Sequence, residues 1–186
     1  MKLLKNTFVV QQGRPVAGMP QLYHSLRARL ANPTFFYLSS SPWQLYPFLH
    51  DFVTSNYPFG QIILRDMSFV ELSSFLMSLT VGTQEYKEAR MEKIHRWFPH
   101  KQFYCIGDST QKDPEAYGAM YVRLADTADR RYRKYPGWIK SIWIHVVVGV
   151  DPHREKTLNA PQRFEKAFQD VPREVWRTFH DPSELI

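Results

Sequence analysis

Short apolar segments separated by helical patterns are the feature that most limits the fold of this chain. Each segment is rich in aromatic or β-branched residues and too short for a buried helix, so each predicts a strand. The predicted strands are residues 35–38, 62–64, 103–106, 142–148 and, at an edge, 175–179. Helical patterns occur at residues 86–98 and 161–168. This order predicts an α/β fold in which helices flank a parallel sheet.

Two further helices are expected where the sequence has the residues that favour a helix N-terminus. Ser41 would be the N-cap of the first, with Pro42 at its first helical position and Gln44 completing a capping box. Pro47 would then lie inside that helix and kink it. Asp113, followed by a proline, would cap the second helix in the same way.

The composition is that of an ordinary globular protein. Of the 186 residues, 44% are hydrophobic and 23% are charged, which excludes a disordered or fibrous chain. No linker or repeat divides the sequence, so we expect one domain over residues 1–186. No charged leader with an apolar core opens it, and Cys105 is its single cysteine, so we expect a cytoplasmic protein without an internal disulfide. Cys105 lies in an apolar strand, where a nucleophilic thiolate is disfavoured.

The net charge of +6 and the aromatic content of 15% indicate an anionic partner. Nucleic acid, phosphorylated metabolites and an acidic membrane surface all fit this charge. Residues 129–135 mix cations with aromatics and could contact lipid headgroups or nucleic acid, or could form a solvated helix face. The seven histidines show no spacing typical of a zinc site.

Polar residues follow two of the predicted strands at the point where each strand ends. In open α/β sheets, ligands bind outside the carboxyl ends of the strands. Ser39 and Ser40 precede the predicted helix N-terminus at Ser41, and hydroxyls with free backbone N–H groups at such a turn suit a phosphate. Capping by Ser41 alone explains the same residues and needs no ligand.

Two carboxylates follow the strand at residues 103–106. Gly107 would permit a sharp turn there, and Asp108 and Asp113 could share a hard cation such as Mg²⁺. Capping is a competing explanation for Asp113 but not for Asp108, because a carboxylate directly after a buried strand is costly unless it is paired or ligates something.

The helix predicted at residues 86–98 carries a lysine in its first turn. One side of this helix is expected to carry Tyr86, Ala89, the stem of Arg90, Ile94, Trp97 and Phe98. Lys87 opposes the helix dipole, so a ligand phosphate or an acidic partner would explain it, although a solvated surface lysine is more common.

Two segments of the chain resemble a known enzyme family. Residues 35–47, FFYLSSSPWQLYP, and residues 107–117, GDSTQKDPEAY, are similar to the catalytic domain of the actin-patch type of phosphatidate phosphatase, of the haloacid dehalogenase superfamily. Residues 15–19 and 176–185 also resemble that family, particularly its fungal members. Ser39, Lys87 and Asp108 with Asp113 follow the order of the superfamily's second, third and fourth motifs.

The resemblance implies a role for each of these residues. Ser39 would hydrogen-bond the phosphoryl oxygens, and Ser40 would offer a backbone N–H. Lys87 would neutralise charge on the nucleophile and the phosphoryl group, while Asp108 would hold Mg²⁺ with Asp113 supporting it directly or through water. The implied reaction is the dephosphorylation of phosphatidate to diacylglycerol through a nucleophilic aspartate of a first motif, Asp-x-Asp.

The sequence departs from the family at that first motif. No aspartate occurs before Asp51, and residues 1–8 resemble the segment that follows the motif in relatives. We therefore expect an N-terminally truncated domain that lacks the central strand between the strands ending at Ser39 and Asp108. Such a fragment would expose two unpaired strand edges and would have no phosphatase activity.

The resemblance also implies partners. Phosphatidate or another anionic phospholipid would be bound, with peripheral contact to membranes and with actin-patch proteins as further partners. The alternative hypothesis is a non-catalytic relative that binds anionic lipid or a protein through the stretch around Arg130. Nucleic-acid binding is not expected, because no fingerprint accompanies the charge.

Overall fold

The computed structural model describes residues 14–66, 82–125 and 137–186. These residues form an α/β fold of parallel strands flanked by helices, which confirms the predicted fold class. The chain divides into two compact units, residues 1–79 with 181–186 and residues 80–180. The predictions for residues 1–8 and for the stretch around Arg130 lie outside the described residues.

The first unit contains a parallel pair of strands. Its elements are α1 (Met19–Arg29), β1 (Phe35–Pro42), a 3₁₀ turn (Trp43–Leu45), α2 (Tyr46–Asn56), β2 (Gly60–Arg65) and a second 3₁₀ turn (Pro182–Leu185). Phe35 of β1 pairs with Gly60 of β2, and Pro42 pairs with Arg65. Between helix and strands lies a cluster of aromatic rings from Tyr23, Phe35, Tyr37 and Tyr57. The predicted strands at 35–38 and 62–64 are confirmed.

The helix after β1 begins later than predicted. Ser41 and Pro42 belong to β1, whose pairing with β2 extends to Pro42, and α2 begins at Tyr46. Ser41 is therefore not an N-cap, and no capping box forms with Gln44. Pro47 falls in the first turn of α2, where its missing N–H costs nothing, so the predicted kink is wrong.

The second unit contains a three-stranded parallel sheet in the order β3-β4-β5. Its elements are α3 (Thr83–Trp97), β3 (Phe103–Asp108), α4 (Asp113–Ala125), β4 (Ile139–His145), α5 (Pro152–Leu158), α6 (Pro161–Ala167) and β5 (Trp176–Phe179). Ile142 and Ile144 of the central strand are fully buried. The predicted strands are confirmed, but β4 begins and ends three residues earlier than expected, so residues 146–148 lie beyond it. Among the described residues β5 pairs with β4 alone, as expected of an edge strand.

The buried face of α3 differs from the predicted one. Trp97 and Phe98 are exposed by 55% and 37%, so their predicted packing is wrong. The buried residues of α3 are Thr83, Lys87, Glu88, Met91, Ile94 and His95. The polar members of this set have partners: Glu88 accepts hydrogen bonds from Gln84 at 2.9 Å and from Arg123 at 2.5 Å.

Of the five strands in the described ranges, only β4 is paired on both edges, and β1, β2, β3 and β5 are each paired on one. There, β1 pairs with β2 and β3 pairs with β4, and no described strand lies on the other side of β1 or β3. No helix among these residues is long and apolar enough to cross a membrane.

Candidate functional site

A buried ion pair lies where β3 meets α4 in the second unit. The ammonium of Lys87, on α3, donates a hydrogen bond to Oδ1 of Asp113, the first residue of α4. The two residues are only 4% and 5% exposed. Oδ2 of Asp113 accepts a hydrogen bond of 3.1 Å from the backbone N–H of Asp108. The structure therefore brings three predicted site residues, Lys87, Asp108 and Asp113, into one cluster.

The electrostatics of this cluster are dominated by burial. Burial raises the pKa of Asp113 above its ordinary value, and the nearby Asp108 carboxylate adds to the rise. The Lys87 ammonium acts in the opposite direction, by charge and by hydrogen bond. The Asp113 carboxylate accepts hydrogen bonds from the Lys87 ammonium and from the Asp108 N–H, so these two residues fix its position.

Gly107 makes room for this arrangement. A Cβ at residue 107 would lie 2.6 Å from Cβ and 2.8 Å from Oδ2 of Asp113. The backbone at Gly107 is not in the left-handed region, so the sharp turn predicted from this glycine is not its role. Glycine is needed at the end of β3 because Asp113 approaches the strand closely.

The Asp108 carboxylate is oriented by the residues that follow it. Oδ1 accepts hydrogen bonds from the backbone N–H of Thr110 at 2.7 Å and from its hydroxyl at 2.5 Å. Within the described residues, Oδ2 of Asp108 accepts no hydrogen bond. Its lone pairs are thus available to a cation, and each oxygen of Asp113, with one hydrogen bond, also keeps a lone pair.

These two carboxylates fit Mg²⁺ as a partial ligand set. Over residues 14–66, 82–125 and 137–186, no group of three His, Cys, Asp or Glu side chains is placed to hold a metal ion. Magnesium commonly binds through one or two carboxylates with water and substrate phosphate completing its octahedron. Asp108 suits a direct ligand, and Asp113 suits a supporting one.

Ser109 ties this loop to the neighbouring strand. Its N–H donates to the carbonyl of His145 at 2.9 Å, and its hydroxyl oxygen accepts from the N–H of Val147 at 3.0 Å. The side chain is fully buried. The carboxyl ends of β3 and β4 are thereby joined immediately beside Asp108.

Ser39 and Ser40 lie in the first unit, near the carboxyl end of β1. The Ser39 hydroxyl donates to that of Ser41 at 3.0 Å, and the N–H of Ser41 donates to the Ser39 oxygen at 3.1 Å. Ser40 is buried. Because α2 begins only at Tyr46, the expectation that these serines immediately precede a helix N-terminus is wrong. Their predicted role in phosphate binding remains a prediction.

Cys105 has the inert character expected of it. Burial raises the pKa of its thiol to about 12, and the Asp113 carboxylate contributes to the rise. At neutral pH the thiolate is therefore a negligible fraction.

Four residues that support the cluster were not identified from the sequence. Ser109 and Thr110 directly follow Asp108, and their position after a strand was the available signal. Arg163 and Glu115 form an ion pair beside the same loop, with 2.9 Å between a guanidinium nitrogen and a carboxylate oxygen. Nothing in the local sequence around residue 163 indicates this contact.

Comparisons with known proteins converge on one family. The family described as "Phosphatidate phosphatase APP1, catalytic domain" matches residues 1–146. The chain is 31% identical over 162 residues to "Phosphatidate phosphatase APP1" of Saccharomyces cerevisiae (strain ATCC 204508 / S288c). The aligned region covers 84% of this chain and 25% of that protein. The chain thus spans about a quarter of the length of this relative. No solved structure matches it significantly.

Proposed function

Because the chain belongs to the family of phosphatidate phosphatase APP1 catalytic domains, we propose that it binds Mg²⁺ and the phosphate of phosphatidate. In the reaction that this implies, phosphatidate is dephosphorylated to diacylglycerol. The observation that carries the proposal is the buried Lys87–Asp113–Asp108 cluster at the end of a parallel strand. A titratable cluster of this kind at a strand terminus is typical of functional sites in α/β proteins.

Each residue of the cluster has a distinct part in the proposal. Asp108 would hold the cation, while Thr110 keeps its Oδ1 in place. Asp113 supports the cation and fixes the Lys87 ammonium, which neutralises charge on the phosphoryl group. When bound, Mg²⁺ would stabilise negative charge on the phosphoryl oxygens. The phosphate-binding roles predicted for Ser39 and Ser40, in the first unit, stay predictions.

The same proposal predicts that a polypeptide of these 186 residues does not complete the hydrolysis. Transfer of the phosphoryl group to the enzyme needs a carboxylate that attacks phosphorus while the alcohol leaves. The sequence has no aspartate before Asp51, and therefore none at the position of the family's nucleophile upstream of Ser39. Binding and hydrolysis are thus separable in this polypeptide.

Magnesium binding by the purified 186-residue chain, measured by titration calorimetry, tests the proposal. The wild-type chain is expected to bind Mg²⁺, and Asp108→Asn is expected to weaken binding about tenfold or more by removing the ligand charge. Asp170→Asn, an exposed carboxylate in the same unit, is the matched control and should leave the affinity unchanged. Phosphate release from phosphatidate micelles should stay at the level of the blank.

Two results would contradict these expectations. Equal Mg²⁺ affinity in Asp108→Asn and the wild type would remove the metal site. Mg²⁺-dependent phosphate release that disappears in Asp108→Asn would show that this polypeptide has a nucleophile of its own.

We also propose that the chain contacts membranes peripherally, as a phospholipid-binding protein would. The alternative hypothesis, a non-catalytic lipid-binding relative, shares this property. Support comes from Trp43 and Tyr46, which are 53% and 45% exposed just after the carboxyl end of β1. Exposed tryptophan and tyrosine suit the boundary between lipid headgroups and acyl chains. Actin-patch partners remain an implication of family membership.

Vesicle sedimentation with Trp43→Ala tests the membrane contact. Phe59→Ala is the matched control: Phe59 is more exposed, at 83%, but it precedes Gly60 at the amino end of β2. Loss of Trp43 is expected to weaken binding to phosphatidylcholine vesicles containing phosphatidate about fivefold, because its apolar surface leaves the interface. Phe59→Ala should bind like the wild type. An equal loss of vesicle binding in both variants, or no loss in either, would contradict a membrane contact through Trp43.

A further inference from the structure

Arg163 makes an unusually complete set of contacts beside the candidate site. Its side chain, on α6, is 13% exposed. Nε donates to Oε1 of Glu115 and an Nη2 hydrogen to Oε2, both at 2.9 Å. This is the two-bond geometry by which a guanidinium binds a carboxylate most tightly. Burial alone would raise the pKa of Glu115, but the hydrogen bond from Arg163, its charge and other local groups outweigh burial and hold it below its ordinary value.

The remaining donors of Arg163 reach backbone carbonyls. Nη1 donates to Ser109 at 2.6 Å and to Leu158 at 2.7 Å, and Nη2 donates to Gln111 at 2.5 Å. A guanidinium has five N–H donors, so all of them are used. Lysine, with three donors and no planar fork, could not reproduce this set.

Two of these carbonyls flank the residue that orients Asp108. Arg163 holds Ser109 and Gln111, and Thr110 between them donates two hydrogen bonds to Oδ1 of Asp108. On the opposite side of the loop, Ser109 is bonded to β4. The loop is therefore fixed between α6 and β4, and the direction of the Asp108 carboxylate depends on both.

We propose that Arg163 is a positioning residue for the Asp108 carboxylate. It acts through the loop 109–111 and does not itself touch the cation or the phosphate. The inference rests on the proposed function in one respect, namely that the carboxylate so positioned is a Mg²⁺ ligand. Its geometric part, the fixing of Thr110, is testable with no metal present.

Amide hydrogen exchange measured by NMR on the full 186-residue chain without metal tests the geometric part. In Arg163→Met the Thr110 amide is expected to exchange about tenfold faster or more, since hydrogen bonds from a charged donor no longer hold the loop. In Arg163→Lys the exchange rate of the Thr110 amide should lie between those of the wild type and Arg163→Met. Lys166→Met, which removes an exposed cation from the same helix, should exchange like the wild type. The amide of Ile144 in β4 serves as an internal reference for global opening.

The outcomes separate this inference from the proposed function. A selective increase at Thr110, together with Mg²⁺ affinity weakened about tenfold in Arg163→Met but not in Lys166→Met, supports the inference. A selective increase in a chain that binds no Mg²⁺ supports the positioning role and contradicts the metal site. Unchanged Thr110 exchange, or an equal increase at Thr110 and Ile144, overturns the inference, because Arg163 would then act on stability alone. Mg²⁺ affinity unchanged in Arg163→Met would overturn it as well.

Discussion

Gly118→Ala is expected to lower the free energy of unfolding by about 2–3 kcal/mol, although alanine is the better helix former. Gly118 lies in α4, and a Cβ at this position would be 1.9 Å from the carbonyl oxygen of Ala167, the last residue of α6. The obstacle is backbone, so no side chain can rotate away and α6 itself must move. Because α6 carries Arg163, the displacement should also loosen the loop after Asp108. Urea denaturation measures the stability change.

The control for this substitution is Val122→Ala, one helical turn further along α4. Val122 is exposed, so the change adds no contact and should alter the unfolding free energy by only about 0.5 kcal/mol. Wild-type stability in Gly118→Ala would mean that α4 and α6 are not in the close contact that the structure gives them.

The strands were predictable because each is a short apolar run whose neighbours are polar or turn-forming. Residues 103–106 illustrate this: they are apolar or aromatic, and Asp108 ends the strand as expected. The juxtaposition of Asp108 with the start of α4 follows from the same reasoning, since a strand and the next helix share a loop. The sequence therefore placed two members of the cluster near each other without any knowledge of packing.

Contacts between residues that are far apart in the sequence could not be predicted from local sequence patterns. The helix after β1 was expected to begin at Ser41, but ladder pairing of Pro42 with Arg65 extends the strand and overrides the capping preference. In α3, hydrophobicity favoured burying Trp97, whereas Lys87 and Glu88 are buried because their partners on α4, Asp113 and Arg123, supply charge and hydrogen bonds. Arg163 has no such local signal, because its partners are 48 to 54 residues away, apart from Leu158.

Lys87→Met is expected to lower the unfolding free energy at neutral pH by about 3–5 kcal/mol, because it leaves the Asp113 carboxylate buried without its cation. Asp113→Asn should destabilise the chain comparably by leaving the Lys87 ammonium unpaired. In the double variant neither charge remains, and an asparagine oxygen can still accept the Asp108 N–H, so most of the loss should be recovered. A double-mutant cycle from urea unfolding gives the coupling energy. Lys93→Met, an exposed lysine of the same helix, is the control and should change stability by about 0.5 kcal/mol or less.

The stability lost in Lys87→Met should depend on pH in a direction that identifies the buried Asp113 carboxylate as its source. The folded-state pKa of Asp113 is raised by burial, and loss of the Lys87 ammonium raises it further. A carboxyl group with a raised folded pKa stabilises the protein below its unfolded pKa and loses that contribution as pH rises through the folded value. Lys87→Met should therefore regain stability relative to the wild type as pH is lowered from neutral, because folding then favours uptake of a proton by Asp113. A deficit that stayed constant with pH, or a double variant no more stable than Lys87→Met, would mean that the ion pair is not the source of the loss.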